Sequence, residues 1–360
     1  MKIIHMADVH IGSAFKNLPT EKARLREREI LEDFRNMCVY ARNHGVGAVL
    51  IAGDLFDGNF ISKRIRGETL AIIAEASPVC FFYVLGNHDG GLEFDGDKPS
   101  NLYLFSGSYA WQSYDLGENI QLTGMDVRNF SYSAFSALEL PYEKFNILLL
   151  HGDISGDMQS RERIPMSAIT EKNVDYLALG HIHKPNLQAE RLDGRGKYRY
   201  CGCFEGRGFD EIGPRGVFLL DVQNGRIVEE KFLSFAKREI VRVEVDISAC
   251  KSYFDVETLA LDALKNVKRE NLIKLVLMGR YKAELRKDLR LLFQRISERF
   301  FYAKVEDESR LFIEYSAFEN DLTERGEFIR EVGRYAFTDE QREEILEVGL
   351  KALSGEDIDL

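Results

Sequence analysis

Five times in its first two thirds the chain repeats one pattern: a short apolar run followed by a cluster rich in Gly, Asp, Asn and His. The runs are Lys2–Ala7, Gly47–Ala52, Val79–Leu85, Asn146–Leu150 and Val174–Leu179. Each is dense in Val, Ile, Leu, Phe or Tyr and reads as a strand buried on both faces. Helical patterns over Glu21–His44 and Ile65–Ala76 separate the first three runs. Strand and helix in alternation build α/β layers. The polar clusters then fall at the carboxyl ends of strands, where open α/β sheets place their sites.

After Gly202 the pattern changes. Gly216–Val222 and Arg226–Phe232 flank Asn224-Gly225 and predict a β-hairpin, because Asn-Gly supplies the positive φ angles such a turn needs. Alternation over Glu239–Ile247, a helix at about Val256–Val267 and a strand at Ile273–Leu277 follow. Leu285, Leu289, Leu292, Phe293, Ile296 and Phe300 then form one helical stripe. Strands near Ala303–Glu306 and Leu311–Tyr315 close a small α/β domain, and Thr338-Asp339-Glu340-Gln341 has the spacing of a capping box. The expected organisation is an α/β core of β-sheets flanked by helices over residues 1–235, an α/β domain over 236–316 and a helical tail over 317–360.

A chain of 360 residues is long for one domain. Its net charge of −11 argues against a protein that coats nucleic acid by bulk charge. It leaves room for a local basic groove, and bound divalent cations would invert the potential at one site. No apolar stretch approaches the roughly 20 residues of a membrane span, and the N-terminus lacks the pattern of a signal peptide. The five cysteines, with Cys201-Gly202-Cys203 too close for a zinc ribbon or a redox pair, read as reduced thiols of a cytoplasmic enzyme.

Of seven histidines, His10, His88, His151, His181 and His183 follow apolar strands, in clusters that also hold Asp, Asn or Gly. With Asp8, Asp54 and Asn87 they form a register that packing alone does not explain. His5 reads as a satisfied core residue and His44 as a surface one. Neutral imidazoles and carboxylates together suit Mn, Fe or Zn. A pair of such ions about 3.5–4 Å apart can activate water and clamp both oxygens of an in-line phosphoryl displacement.

Asp8-Val9-His10, Gly53-Asp54-Leu55-Phe56-Asp57, Gly86-Asn87-His88-Asp89, His151-Gly152 and Gly180-His181-Ile182-His183 resemble the five ordered motifs of the calcineurin-like metallophosphoesterases. That resemblance implies Asp8, His10, Asp54 and His183 as ligands of a first metal. Asp54, Asn87, His151 and His181 would hold a second, with Asp54 bridging. It implies His88 as the general acid that protonates the leaving oxygen, with Asp57 orienting it. Asp89 fits a supporting role better than a catalytic one. Within the superfamily, His5–Gly12, the intact Gly-Asp-Leu-Phe-Asp and the Gly202-to-Gly216 segment resemble DNA-repair exonucleases of the SbcD type. These are nuclease subunits that work with a coiled-coil ABC ATPase of the SMC kind. Glu205–Glu211 is more similar to the YhaO-like branch, a departure that bears on substrate and partner.

The function this implies is a DNA phosphodiesterase of the exonuclease or endonuclease type, with two divalent ions, manganese first among them. Its partners would be DNA with little sequence specificity, the ATPase, and a second copy of the chain. A small-substrate phosphatase or cyclic-nucleotide phosphodiesterase is the enzymatic alternative, and a non-catalytic scaffold the third. Basic residues at Lys63, Arg64 and Arg66, at Arg191, Arg195, Lys197 and Arg199, and at Lys282, Arg286, Lys287, Arg290 and Arg295 form either solvated faces or a phosphate track. The acidic tail, with Ile345, Leu346, Leu350 and Leu353 on one side, packs on its own domain or docks the ATPase coiled coil.

Overall fold

The structure, a computed structural model, describes residues 1–58, 61–89, 98–105, 111–156, 160–282 and 284–354. It divides into two compact units, Met1–Glu239 and Ile240–Leu360.

The first unit runs β1 (Lys2–Met6), α1 (Thr20–Asn43), β2 (Val46–Ala52), α2 (Lys63–Glu75), β3 (Cys80–Val84), β4 (Leu102–Leu104), β5 (Gln112–Gly117) and β6 (Ile120–Gly124). It continues with α3 (Tyr132–Ser136), β7 (Phe145–His151), β8 (Tyr176–Gly180), β9 (Glu190–Arg191), β10 (Lys197–Tyr200), β11 (Val217–Gln223) and β12 (Arg226–Leu233). Two six-stranded sheets result, ordered β12-β11-β1-β2-β3-β4 and β5-β6-β7-β8-β10-β9.

The sheets pack face to face, and the period of two along each strand shows why the runs are apolar throughout. Ile3, Ala7, Ala48, Leu50 and Ala52 meet Ile147, Leu149, Tyr176 and Ala178 in the layer between the sheets. The alternate residues Ile4, Met6, Val49 and Ile51 pack outward on Ile30, Phe34 and Met37 of α1 and Ile73 of α2. Leu148, Leu150, Leu177 and Leu179 bury the opposite outer face under Phe135 and Ile169. Helix α1 forms because its buried residues Ile30, Phe34, Met37, Cys38 and Ala41 recur at helical spacing, and Gly45 with φ 67° ends it.

The Asn224-Gly225 turn has φ of 51° and 71°, and its hairpin β11–β12 adds antiparallel to β1. The hairpin thus extends the first sheet.

In the second unit, β13 (Ile240–Asp246), α4 (Tyr253–Ala263), β14 (Leu272–Met278), β15 (Arg280–Lys282), α5 (Leu289–Ser297), β16 (Tyr302–Asp307) and β17 (Arg310–Phe312) precede α6 (Glu324–Arg334) and α7 (Asp339–Ser354). The parallel sheet β13-β14-β16 carries the core. Two helices start away from the sequence expectation because side-chain caps decide. Ser252 and Asp255 form a capping box that starts α4 at Tyr253, ahead of Val256. Asp288 accepts from Leu291 N at 2.8 Å and starts α5 after Leu285, which is buried but outside the helix. Thr338 and Gln341 exchange hydrogen bonds of 3.1 and 3.2 Å at the start of α7. Leu346 and Leu350 of that helix, with Ile329 and Val332 of α6, enter the unit's own core, while Leu353 stays exposed.

Candidate metal centre

Each motif leaves a strand at its carboxyl end, and parallel pairing brings those ends together. β1 delivers Asp8 and His10, β2 delivers Asp54 and Asp57, and β3 delivers Asn87 and His88. His151 is the last residue of β7, and His181 and His183 follow β8. Hydrogen bonds from Asp8 N to Gly53 O (3.1 Å) and His10 N to Asp54 O (3.0 Å) tie the first two turns. His181 N reaches both carboxylate oxygens of Asp8 at 3.0 and 3.1 Å, joining the two sheets.

Asp8, His10, Asp54 and His181 all have positive φ, at 49°, 50°, 50° and 91°. Left-handed backbone is costly outside glycine, and its recurrence in one place is the mark of a site held under constraint. Glycine is required where the site is tightest. A Cβ on Gly53, φ 86°, would collide with the His151 ring, and one on Gly86 with the Asp54 carboxylate.

Donor atoms converge at the centre. His10 Nε2 lies 3.3 Å from His183 Nε2, and Asn87 Oδ1 lies 2.9 Å from His151 Nε2 and 3.2 Å from His181 Nδ1. Asp54 Oδ1 accepts from the His88 amide at 2.9 Å. Its Oδ2 lies 3.8 Å from His10 Nε2 and 3.4 Å from His151 Nε2. His151 Nδ1 donates to Ala52 O at 2.8 Å, which leaves Nε2 as its inward lone pair.

The charges fit a cation. Burial, with the charge of Asp54, pushes the Asp8 carboxyl well above its usual range. Burial pulls His151 down to about 4 and lowers His10 as well. Crowded carboxylates that resist ionising and imidazoles that resist protonation are what a divalent ion reverses and uses, since it binds carboxylate and neutral imidazole. The donor groups Asp8–His10–His183 and Asp8–Asp54–His151 each have ligand atoms within 4.8 Å of one another.

His88 lies at the rim, its side chain 47% exposed and its Nδ1 3.0 Å from Asp57 Oδ1. The same Asp57 oxygen is 3.4 Å from His10 Nδ1, so one carboxylate stands beside two imidazoles. His10 beside it holds the Asp57 carboxyl below its ordinary range.

Asp89 is fully buried and accepts from the amides of Asp54, Gly86 and Phe56 at 2.7, 2.9 and 3.1 Å. It clamps two motif loops together, and burial followed by the Asp54 charge raises it to about 7. His5 is buried, with Nδ1 3.0 Å from Tyr176 Oη and Nε2 3.2 Å from Leu179 O. His44 lies on the surface, stacked on Tyr40.

Two residues beside the centre escaped the sequence reading. Glu211 Oε1 accepts from His183 Nδ1 at 2.5 Å, and Arg207 lies within 3.4 Å of the same nitrogen. Burial alone would raise Glu211, but His183 and Arg207 outweigh it and bring the carboxyl down to about 2. The only sequence signal was an acid at the end of a Gly-rich loop, 28 positions from its partner.

The basic clusters are largely engaged elsewhere. Arg195 binds Asp175 and two carbonyls, Lys197 and Arg199 bind Glu230, Lys287 binds Asp307, and Arg295 lies 3.5 Å from Glu257.

Fold and site together define a metal-dependent hydrolase of phosphoric esters. The chain belongs to the calcineurin-like phosphoesterase family, whose profile residues 1–185 match. It is similar to the uncharacterized metallophosphoesterase YhaO of Bacillus subtilis, 28% identical over 305 residues that span 78% of this chain and 72% of that one. The SbcD component of nuclease SbcCD from Staphylococcus epidermidis is 24% identical over 292 residues, 68% of this chain and 73% of its own. A DNA double-strand break repair protein Mre11 from Methanopyrus kandleri is 26% identical over 279 residues, 68% of this chain and 59% of that relative. Among the described residues no helix is long and apolar enough to cross a membrane.

Proposed function

We propose that this protein is a metal-dependent phosphodiesterase that cuts DNA with little sequence preference, as the nuclease component of a repair complex. The observation that carries the reading is the position of His88, exposed at the edge of the converged donors with Nδ1 held by Asp57 at 3.0 Å. That arrangement leaves Nε2 for a substrate oxygen.

Asp8, His10, Asp54 and His183 would hold one divalent ion, and Asp54, Asn87, His151 and His181 a second, with manganese the leading candidate. Bound there, the ions would supply Lewis-acid charge to the phosphoryl oxygens and lower the pKa of a nucleophilic water. Asp57 keeps a proton on Nδ1 of His88 and orients the ring, so that a proton on Nε2 can pass to the leaving oxygen. Asp89 and the glycines at 53 and 86 hold the loops so that no donor must reorganise during turnover.

Two features support DNA over a small ester. Relatives named as a nuclease and a break-repair protein match along two thirds of the chain. A second α/β unit is also present, which a small-substrate enzyme would not need and which would guide a polymer. A coiled-coil ATPase is the partner this reading carries with it.

The test is purified protein with Mn²⁺ against end-labelled single- and double-stranded DNA, beside bis-nitrophenyl phosphate. Shortening of the DNA, abolished by His88→Asn, supports the reading. Hydrolysis of the nitrophenyl diester with DNA left intact argues for a small-substrate enzyme instead.

A further inference from the structure

The stretch Glu205–Glu211, set apart in the sequence only by its similarity to the YhaO-like branch, has no part in the mechanism above, and Cys203 and Phe204 lead into it. In the structure it lies directly behind the metal centre. Cys203 N donates to His183 O at 3.0 Å and Phe204 N to Asp8 O at 3.3 Å, so its backbone is bonded to two of the donor residues. Its first turn is anchored from the other side. The Arg26 guanidinium of α1, itself buried, reaches Glu205 Oε2 at 2.5 Å and Gly206 O at 3.2 Å. At its far end the turn closes with Glu211 N on Gly208 O at 2.9 Å.

We infer that Glu211 is a positioning residue for the metal centre, fixing the tautomer and ring orientation of His183, with the Arg26-anchored loop as its support. Glu211 is 8% exposed, and its two oxygens have separate tasks. Oε1 takes His183 Nδ1–H at 2.5 Å, and Oε2 takes the Arg207 amide at 2.6 Å. An imidazole with its proton committed to Nδ1 presents a lone pair at Nε2, and that nitrogen is the one 3.3 Å from His10 Nε2. The Arg207 guanidinium lies 3.4 Å from His183 Nδ1, but a nitrogen that carries a proton accepts no further hydrogen bond. Its Nη1 reaches Ser13 Oγ at 3.3 Å, and Nη2 lies 3.6 Å from Glu211 Oε1. Arg207 therefore offsets the charge of the carboxylate beside the centre. His151 achieves the same commitment through Ala52 O. The two imidazoles are thus fixed by different acceptors, a carboxylate for His183 and a backbone carbonyl for His151.

The inference rests on the proposed reading for the identity of the donors and on nothing about the substrate, so its test uses the full chain without substrate. In metal-stripped protein with ¹⁵N-labelled histidine, ring nitrogen shifts should put the His183 proton on Nδ1, and Glu211→Ala should abolish that preference. By calorimetry, Mn²⁺ should bind one of the two sites about 10–100-fold more weakly in Glu211→Ala, with the other unchanged. Glu211→Gln, whose amide oxygen still accepts Nδ1–H, should recover part of both losses. Wild-type affinity at both sites in Glu211→Ala, or equal loss at both sites with no recovery in Glu211→Gln, overturns the inference. Two bound ions without DNA cleavage would count against the nuclease reading and leave the positioning role standing. Unchanged Mn²⁺ affinity in a Glu211→Ala protein that still cuts DNA would do the reverse.

Discussion

Asp57 Oδ1 stands beside two imidazoles, 3.0 Å from His88 Nδ1 and 3.4 Å from His10 Nδ1. One carboxylate thereby couples the proposed acid to a proposed ligand. Asp57→Asn should lower turnover and also weaken binding of the ion at the His10 side. His88→Asn, which leaves His10 and Asp57 together, should lower turnover with metal content near normal. Titration of both variants with Mn²⁺ separates the effects, and normal metal affinity in Asp57→Asn would show that the carboxylate serves His88 alone.

Asp54 should be the one residue whose loss disturbs both metal positions, because its Oδ2 lies 3.8 Å from His10 Nε2 and 3.4 Å from His151 Nε2. Elemental analysis after reconstitution should approach two ions per chain in the wild type. Asp54→Ala should fall well below one, and His10→Ala should keep the ion on the Asn87, His151 and His181 side. A wild-type ceiling of one would remove the two-ion reading.

The residues that sequence made legible share one property: they sit within a few positions of a strand end. Parallel pairing then fixes their place, because β1, β2 and β3 end at one level, as do β7 and β8. Glu211 is different. Its contact with His183 depends on how a Gly-rich loop folds back, and no periodicity encodes that. The same holds for the starts of α4 and α5, where Ser252 and Asp288 act as caps against an apolar pattern that points elsewhere. The face-to-face packing of two sheets was also hidden. Strands covered by a helix layer on one side and a second sheet on the other show the same unbroken apolar run as strands between two helix layers.

Gly53→Ala should be more damaging than an ordinary loop substitution. The left-handed backbone alone costs about 1–2 kcal/mol, and the added methyl collides with the His151 ring. Gly58, with φ 77° and open space around it, is the matched control, since Gly58→Ala meets only the backbone cost. Gly53→Ala should lose more stability in urea than Gly58→Ala, and it alone should lose metal. Equal metal binding in both would mean that the ring can move aside without consequence.

The buried pair Arg26–Glu205 should be costly to break from one side. Arg26 and Glu205 are each 1% exposed, and Arg26 also reaches Glu29 at 3.0 Å. Arg26→Met would leave two carboxylates without that partner, with an expected loss of about 3–5 kcal/mol. Adding Glu205→Gln should recover part of it by removing the stranded charge. Urea midpoints of the two variants measure the difference, and additive losses would mean that the pair is not coupled.

Truncation after Glu239 should separate hydrolysis from handling of a polymer. Arg238 closes on Glu29 through contacts of 2.7 and 2.8 Å, so a cut that keeps it preserves the end of the first unit. A cut that removed only residues 240–316 would strand Ile329, Val332, Leu346 and Leu350, which pack in the same core as β13 and β14. The clean variant therefore ends at Glu239. All the proposed metal donors, with His88, Asp57 and Glu211, lie within it, so bis-nitrophenyl phosphate turnover should stay within a few-fold of the full chain. Cleavage of duplex DNA should fall by at least about tenfold, because each 1.4 kcal/mol of lost duplex contact is worth that factor. An equal drop on both substrates, with the truncated protein still folded by circular dichroism, would mean that the second unit shapes the metal centre and not the choice of substrate.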